Sequence, residues 1–234
     1  MTSLYHDIIF GPVHSRRLGL SLGVNLLPTE SKLCSFDCIY CECGWNADHP
    51  GRRRFNPREE VRLQLGAVLR RMTADGTPPD VITFAGNGEP TLHPDFEAII
   101  DDTLALRDEL CPSARVSVLS NATQIHRDDV RRMNNPAGDY SVARTVELMK
   151  RFEGRMILQT MFLAGEIEGE PIDNTAEREV EAWLRLVEEI RPSKVMVYSL
   201  DRDTPCRTLR KIPREELQRI AARVEALGIP CPVA

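Results

Sequence analysis

Apolar residues fall along this chain in two alternating rhythms: short unbroken runs, and longer stretches in which they recur every third or fourth position. The runs at residues 23–27, 81–85, 116–119, 156–162 and 195–200 read as strands buried on both faces. Residues 58–72 place Val61, Leu65, Val68, Leu69 and Met72 on one helical face. Residues 95–110 repeat the pattern through Phe96, Ile99, Ile100, Thr103 and Leu104. Residues 177–190 do so with Val180, Trp183, Leu184 and Val187, and residues 214–227 with Leu217, Ile220, Ala221, Val224 and Leu227. Asn56, Pro57 and Glu59 read as the N-cap, first-turn proline and capping carboxylate of the first helix, and Asn174 as the start of the third.

Buried strands that alternate with helices predict a parallel sheet covered by helices. Right-handed crossovers would curl that sheet into a barrel or part of one. The expected fold is α/β, a TIM-like barrel or part of one. No linker, repeat or low-complexity tract divides the chain, so one domain is expected over residues 1–234, with a lead segment at 1–22.

Composition narrows the class. At 42% hydrophobic and 28% charged, the 234 residues fit a globular domain and exclude a disordered one. No apolar run reaches the length of a membrane span, and the N-terminus lacks a signal-peptide pattern, so a cytoplasmic protein without a membrane partner is expected. Seven cysteines, an odd number bunched toward one end, fit a reducing compartment. The net charge of −5 gives no general attraction to nucleic acid, and no DNA partner is expected. Local clusters at Arg16-Arg17 and Arg52-Arg53-Arg54 could grip a phosphate or a carboxylate.

The chemistry concentrates in Cys34-Ser35-Phe36-Asp37-Cys38-Ile39-Tyr40-Cys41. Thiolates are soft ligands, so Cys34, Cys38 and Cys41 favour zinc or an iron–sulfur cluster over magnesium or calcium. A closed zinc site or an ordinary cluster takes four protein ligands. Three thiolates on a four-iron cluster leave one iron open to a substrate or cofactor. Cys43, two residues on, keeps two alternatives in play: a structural zinc module, and a non-catalytic iron–sulfur electron carrier or sensor.

The Cys-x3-Cys-x2-Cys spacing, with Tyr40 before its last cysteine, resembles the signature of the radical S-adenosylmethionine (SAM) superfamily. The resemblance implies a [4Fe-4S] cluster on Cys34, Cys38 and Cys41 that binds SAM at its open iron. It also implies reductive cleavage of SAM to a 5′-deoxyadenosyl radical, which abstracts hydrogen from an RNA base, a peptide or a small molecule. Gly86-Asn87-Gly88-Glu89-Pro90 is similar to the superfamily's Gly-Gly-Glu-Pro element, which binds the amino end of SAM, although Asn87 separates the glycines. Gly86, Gly88, Glu89 and Pro90 are assigned to the cofactor on that basis. The two glycines would let main chain approach the ligand.

Ser120 and Asn121 correspond to a polar element near the SAM ribose and carboxylate, Tyr40 to the adenine, and Gln159 to a barrel-lining position. Tyr198, a second polar residue within an apolar strand, reads better as a satisfied core tyrosine. Residues 10–23, 34–44, 86–94 and 159–163 together resemble a group of uncharacterised radical SAM proteins related to the wybutosine-synthesising tRNA enzymes, and the resemblance implies a partial (β/α)6 TIM-like barrel. An external one-electron reductant of flavodoxin or ferredoxin type is implied, and the substrate, macromolecular or small, is left open. Such proteins place a strand between the helix-like residues 126–133 and the helix at 141–152, where this chain has none. The expectation is a segment missing at Val130–Arg131, with a Cα–Cα separation far beyond the ~3.8 Å of a trans peptide.

Overall fold

A computed structural model describes residues 4–15, 18–48, 54–122, 141–167 and 169–234. The chain divides into two compact units, one over residues 2–138 and one over residues 139–234.

In the first unit the elements run β1 (Ile9–Ser15), β2 (Gly19–Val24), α1 (Arg58–Ala74), β3 (Val81–Phe84), α2 (Phe96–Leu110) and β4 (Arg115–Val118). The sheet order is β1-β2-β3-β4. β1 is antiparallel to β2, while β2, β3 and β4 are parallel, with Leu22 opposite Ile82 and Ile82 opposite Val116. All four residues of β3 are buried, which is why this stretch reads as an uninterrupted apolar run. From their expected faces α1 and α2 supply Val61, Leu65, Leu69, Met72 and Ile99 to a core shared with Leu22, Val24, Ile82 and Phe84; α2 adds Leu106 in place of the expected Leu104. Each such side chain contributes roughly 1.5–3 kcal/mol by leaving water.

The second unit runs α3 (Val142–Lys150), β5 (Ile157–Met161), β6 (Leu163–Ile167), β7 (Glu170–Asp173), α4 (Glu177–Ile190), β8 (Lys194–Tyr198), β9 (Arg210–Lys211) and α5 (Arg214–Glu225). β5 and β8 are parallel, and the chain end pairs beside β8 through Val197 and Val233. β6 pairs antiparallel with both β7 and β9. A separate core gathers Val180 and Val187 of α4, Val195 and Val197 of β8, and Leu217, Ile220 and Val224 of α5.

Several expectations are corrected. Strand pairing expected at residues 23–27 runs instead over Gly19–Val24, and the lead segment supplies its antiparallel partner β1. The run at 156–162 ends as a strand at Met161, and β6 starts at Leu163. Asn56 does not cap α1, whose N-cap is Pro57 without a side-chain bond. Its Nδ2 instead donates to the carbonyls of Asn25 at 2.8 Å and Leu27 at 2.7 Å. Asn174 likewise does not cap α4; it bonds Leu163 N and Met161 O. The helix expected at 126–133 and the break expected at Val130–Arg131 lie outside the described residues, as do Arg16, Arg17, Arg52 and Arg53. Among the described residues no helix is long and apolar enough to cross a membrane.

Candidate functional site

Because β2, β3 and β4 are parallel, the segments that follow them leave the sheet at one edge. Three asparagine side chains bind these segments together. Asn25, directly after β2, accepts from Leu27 N and Asn87 N, both at 3.2 Å. Asn87 donates to Pro28 O at 2.7 Å and exchanges two bonds with the Tyr5 backbone. Asn56 closes the far end of the cysteine-bearing segment, and its carbonyl lies 2.9 Å from His93 Nε2. Asn25 and Asn87 are fully buried; both amide atoms of Asn87 are partnered, whereas Asn25 Nδ2 has no partner among the described residues, a costly state for a buried donor.

That frame carries the cysteine loop. Leu33 N donates to Asn87 O at 2.9 Å, and Glu89 N donates to Leu33 O at 3.1 Å, a short parallel bridge between Leu33 and Gly88. Gly88 has φ +137°, and a β-carbon there would collide with the Leu33 carbonyl. Gly86 has φ +129°, and a β-carbon there would collide with the Asn25 side chain. Both glycines therefore admit close approach of protein to protein, where the sequence had suggested approach of main chain to ligand.

Within the loop the three cysteines are half-buried, and the turn is closed by Cys41 N to Cys38 O and Gly44 N to Cys41 O, both 3.0 Å. Beneath them lies Lys32, which the sequence reading missed; its side chain is 0% exposed. Its ammonium donates to Gly44 O at 2.7 Å and Asp37 Oδ1 at 3.0 Å, and its charge favours the thiolate form of Cys41. Burial lowers the affinity of Lys32 for its proton. The bond to Asp37 and the charges of Cys41, Asp37 and Cys34 outweigh it and leave the pKa raised.

The thiols are unequal. The Cys43 thiol, hydrogen-bonded to Cys41, brings the Cys41 pKa down to about 6, against the opposing effect of burial. Burial pushes Cys34 up to about 11. Burial also raises Cys38, partly offset by a hydrogen bond from Tyr40. Cys43 is itself pushed up, first by its bond to Cys41 and then by burial, and its Sγ lies 3.6 Å from Gly86 O.

Glu89 joins the remaining loops. It is 2% exposed, and Oε1 accepts from Thr91 N at 3.2 Å, Thr91 Oγ1 at 2.6 Å and Ser120 Oγ at 2.9 Å. Oε2 accepts from Asn121 N at 2.7 Å. Asn121 Nδ2 in turn donates to Ser35 Oγ at 3.0 Å and lies 3.6 Å from Cys34 Sγ. A continuous polar path thus runs from the loop after β3, through the loop after β4, to the first cysteine.

The structure brings Cys34, Ser120, Asn121, Glu89, Gly86 and Gly88 together at one edge, with buried Pro90 opening a short turn and Tyr40 on the cysteine loop. Gln159, expected to line the barrel, lies on β5 of the second unit, and Tyr198 lies on β8. Among the described residues no group of three or more His, Cys, Asp or Glu side chains is arranged to hold a metal ion, and all seven cysteines are reduced. The donor chemistry nonetheless fits iron or zinc: soft thiols in one loop, whose charges Cys34 and Cys38, and Cys38 and Cys41, feel in each other, over a buried cation.

Comparison with solved structures shows which fold this is. A radical SAM methyltransferase from Sphaerobacter thermophilus superposes with a TM-score of 0.65 at 17% identity, over 92% of this chain and 65% of that one. Streptococcus suis SuiB bound to S-adenosylmethionine superposes with a TM-score of 0.56 at 12% identity, over 88% and 49%. The fold is that of the radical SAM enzymes, in agreement with the α/β partial barrel expected from the sequence.

By sequence the chain is related to the UPF0026 proteins. It is 30% identical over 215 residues to one from Methanocaldococcus jannaschii, taking in 80% of this chain and 61% of that protein. It is 26% identical over 266 residues to one from Synechocystis, taking in 95% and 94%. That alignment is longer than the 234-residue chain, so the Synechocystis protein carries residues with no counterpart here. The chain also matches a third of the length of a GTPase Obg from Brachyspira hyodysenteriae, 25% identical over 245 residues, but contains no Gly-x4-Gly-Lys phosphate loop. It thus spans 33% and 61% of the first two curated relatives. No family model matches.

Proposed function

We propose that this protein is a radical SAM enzyme, with Cys34, Cys38 and Cys41 holding a [4Fe-4S] cluster whose fourth iron is open to SAM. The observation that carries this reading is the path Cys34–Asn121–Glu89, which ties the cysteine loop to the loops after β3 and β4. When bound, the cluster supplies one-electron reductive cleavage of SAM to a 5′-deoxyadenosyl radical.

The chain's own residues supply the seat. Glu89 is held by four protein donors, so its part is to fix Thr91, Ser120 and Asn121. Ser120, Asn121 and the Tyr40 ring are the groups we assign to the nucleoside and the amino acid. A fixed seat orients the ligand and excludes water without reorganisation at the moment of reaction. An external flavodoxin- or ferredoxin-type reductant is the expected electron source, and the hydrogen donor is an RNA base, a peptide or a small molecule.

The test is anaerobic reconstitution with iron and sulfide, followed by dithionite and SAM, with chromatography for 5′-deoxyadenosine. Wild-type protein should form it, and Cys34→Ala, Cys38→Ala and Cys41→Ala should not. Zinc without iron in anaerobically purified protein, or a cluster lost in Cys43→Ala, would contradict the reading in favour of a zinc module or an electron carrier.

A further inference from the structure

We propose that Lys32 is the resident counter-cation of the cysteine loop, closing the loop and setting the charge at which the site accepts an electron. This rests on the iron–sulfur reading above. Lysine is almost never fully buried unless it is paired. Lys32 is fully buried, and its ammonium donates to two acceptors, Asp37 Oδ1 and Gly44 O. They lie five and twelve residues further along, on either side of Cys38 and Cys41, so this one side chain draws the whole loop inward.

Its position is fixed by the fold, because the next residue, Leu33, is bridged to Gly88 at the sheet edge. The charge balance is lopsided. Three thiolates would gather over Lys32, and its carboxylate partner is 42% exposed and also accepts from Asn46 N at 2.8 Å. Out of water, a cation buried within the cysteine loop acts strongly on the charge of the centre. Taking up one electron from an external reductant adds a negative charge there, and Lys32 favours that state.

Two substitutions separate this role from simple loop packing. In reconstituted full-length protein, Lys32→Met removes the cation, and the midpoint potential should become more negative. Asp37→Asn removes the opposing anion while keeping an amide oxygen for both donors, and the potential should become less negative. The potentials are read by redox titration followed by electron paramagnetic resonance, with circular dichroism to check folding. Opposite shifts are the expected result. Unchanged potentials, or shifts of the same sign, would overturn the proposal. Should Lys32→Met fail to fold, the sign from Asp37→Asn decides alone. Should wild-type protein take up no iron and sulfide, the iron–sulfur reading itself fails, and this inference with it.

Discussion

A β-carbon at Gly88 is enough to drive the glycine-rich loop off the cysteine loop, since it would meet the Leu33 carbonyl. Gly76 offers the contrast: its φ is +70°, with nothing within 4 Å of a β-carbon. Gly76→Ala should therefore cost only the left-handed conformation, about 1–2 kcal/mol. Gly88→Ala should cost more, by a further ~1–3 kcal/mol for the clash. Denaturant midpoints of the two variants check this, and equal losses would refute the bridge.

The thiols give a second test at this scale. In metal-free protein Cys41, at about 6, is mostly thiolate at pH 7, whereas Cys34, at about 11, stays protonated. Iodoacetamide should label Cys41 well before Cys34, and the rate should fall as pH drops through about 6. Mass spectrometry reads the order, and Cys43→Ala should move the inflection upward. The cysteine spacing was legible in the sequence because its three residues are neighbours. Lys32, Asn25, Asn56 and Asn87 were not. Asn56 finds partners 31 and 29 residues away, and Asn87 finds them 59 and 82 away.

Among the elements, the long helices were legible because their apolar faces repeat with helical period; α4 starts and ends where the pattern does. Buried β3 and β8 were equally plain. The misses share one physical cause, which is a lack of burial contrast. β1 is largely exposed, β7 is nearly all exposed, and β9 is two exposed residues. The cap signals misled because an asparagine that suits a helix start can also satisfy distant carbonyls, and the buried carbonyls won. Asn56→Ala should therefore destabilise by about 1–3 kcal/mol, the cost of unpaired buried acceptors. Hydrogen exchange should rise around residues 25–27 and His93 while the first turn of α1 stays protected. Fraying confined to α1 would restore the capping role.

At the scale of the molecule, the fold class was legible from the alternation of strands and helices, and the solved radical SAM enzymes share that fold. The site was legible as three loops at the strand ends. What holds those loops to one another was not, because it is written in single side chains such as Glu89 and Asn121. The relatives named for the UPF0026 group leave the substrate to experiment. The most direct measurement is the electron paramagnetic resonance spectrum of the reduced, reconstituted protein before and after SAM is added. The account predicts a reduced four-iron signal, present also in Cys43→Ala, whose g-values shift on SAM binding. A signal indifferent to SAM, or reconstituted protein that takes up zinc but no iron and so gives no signal, would contradict it.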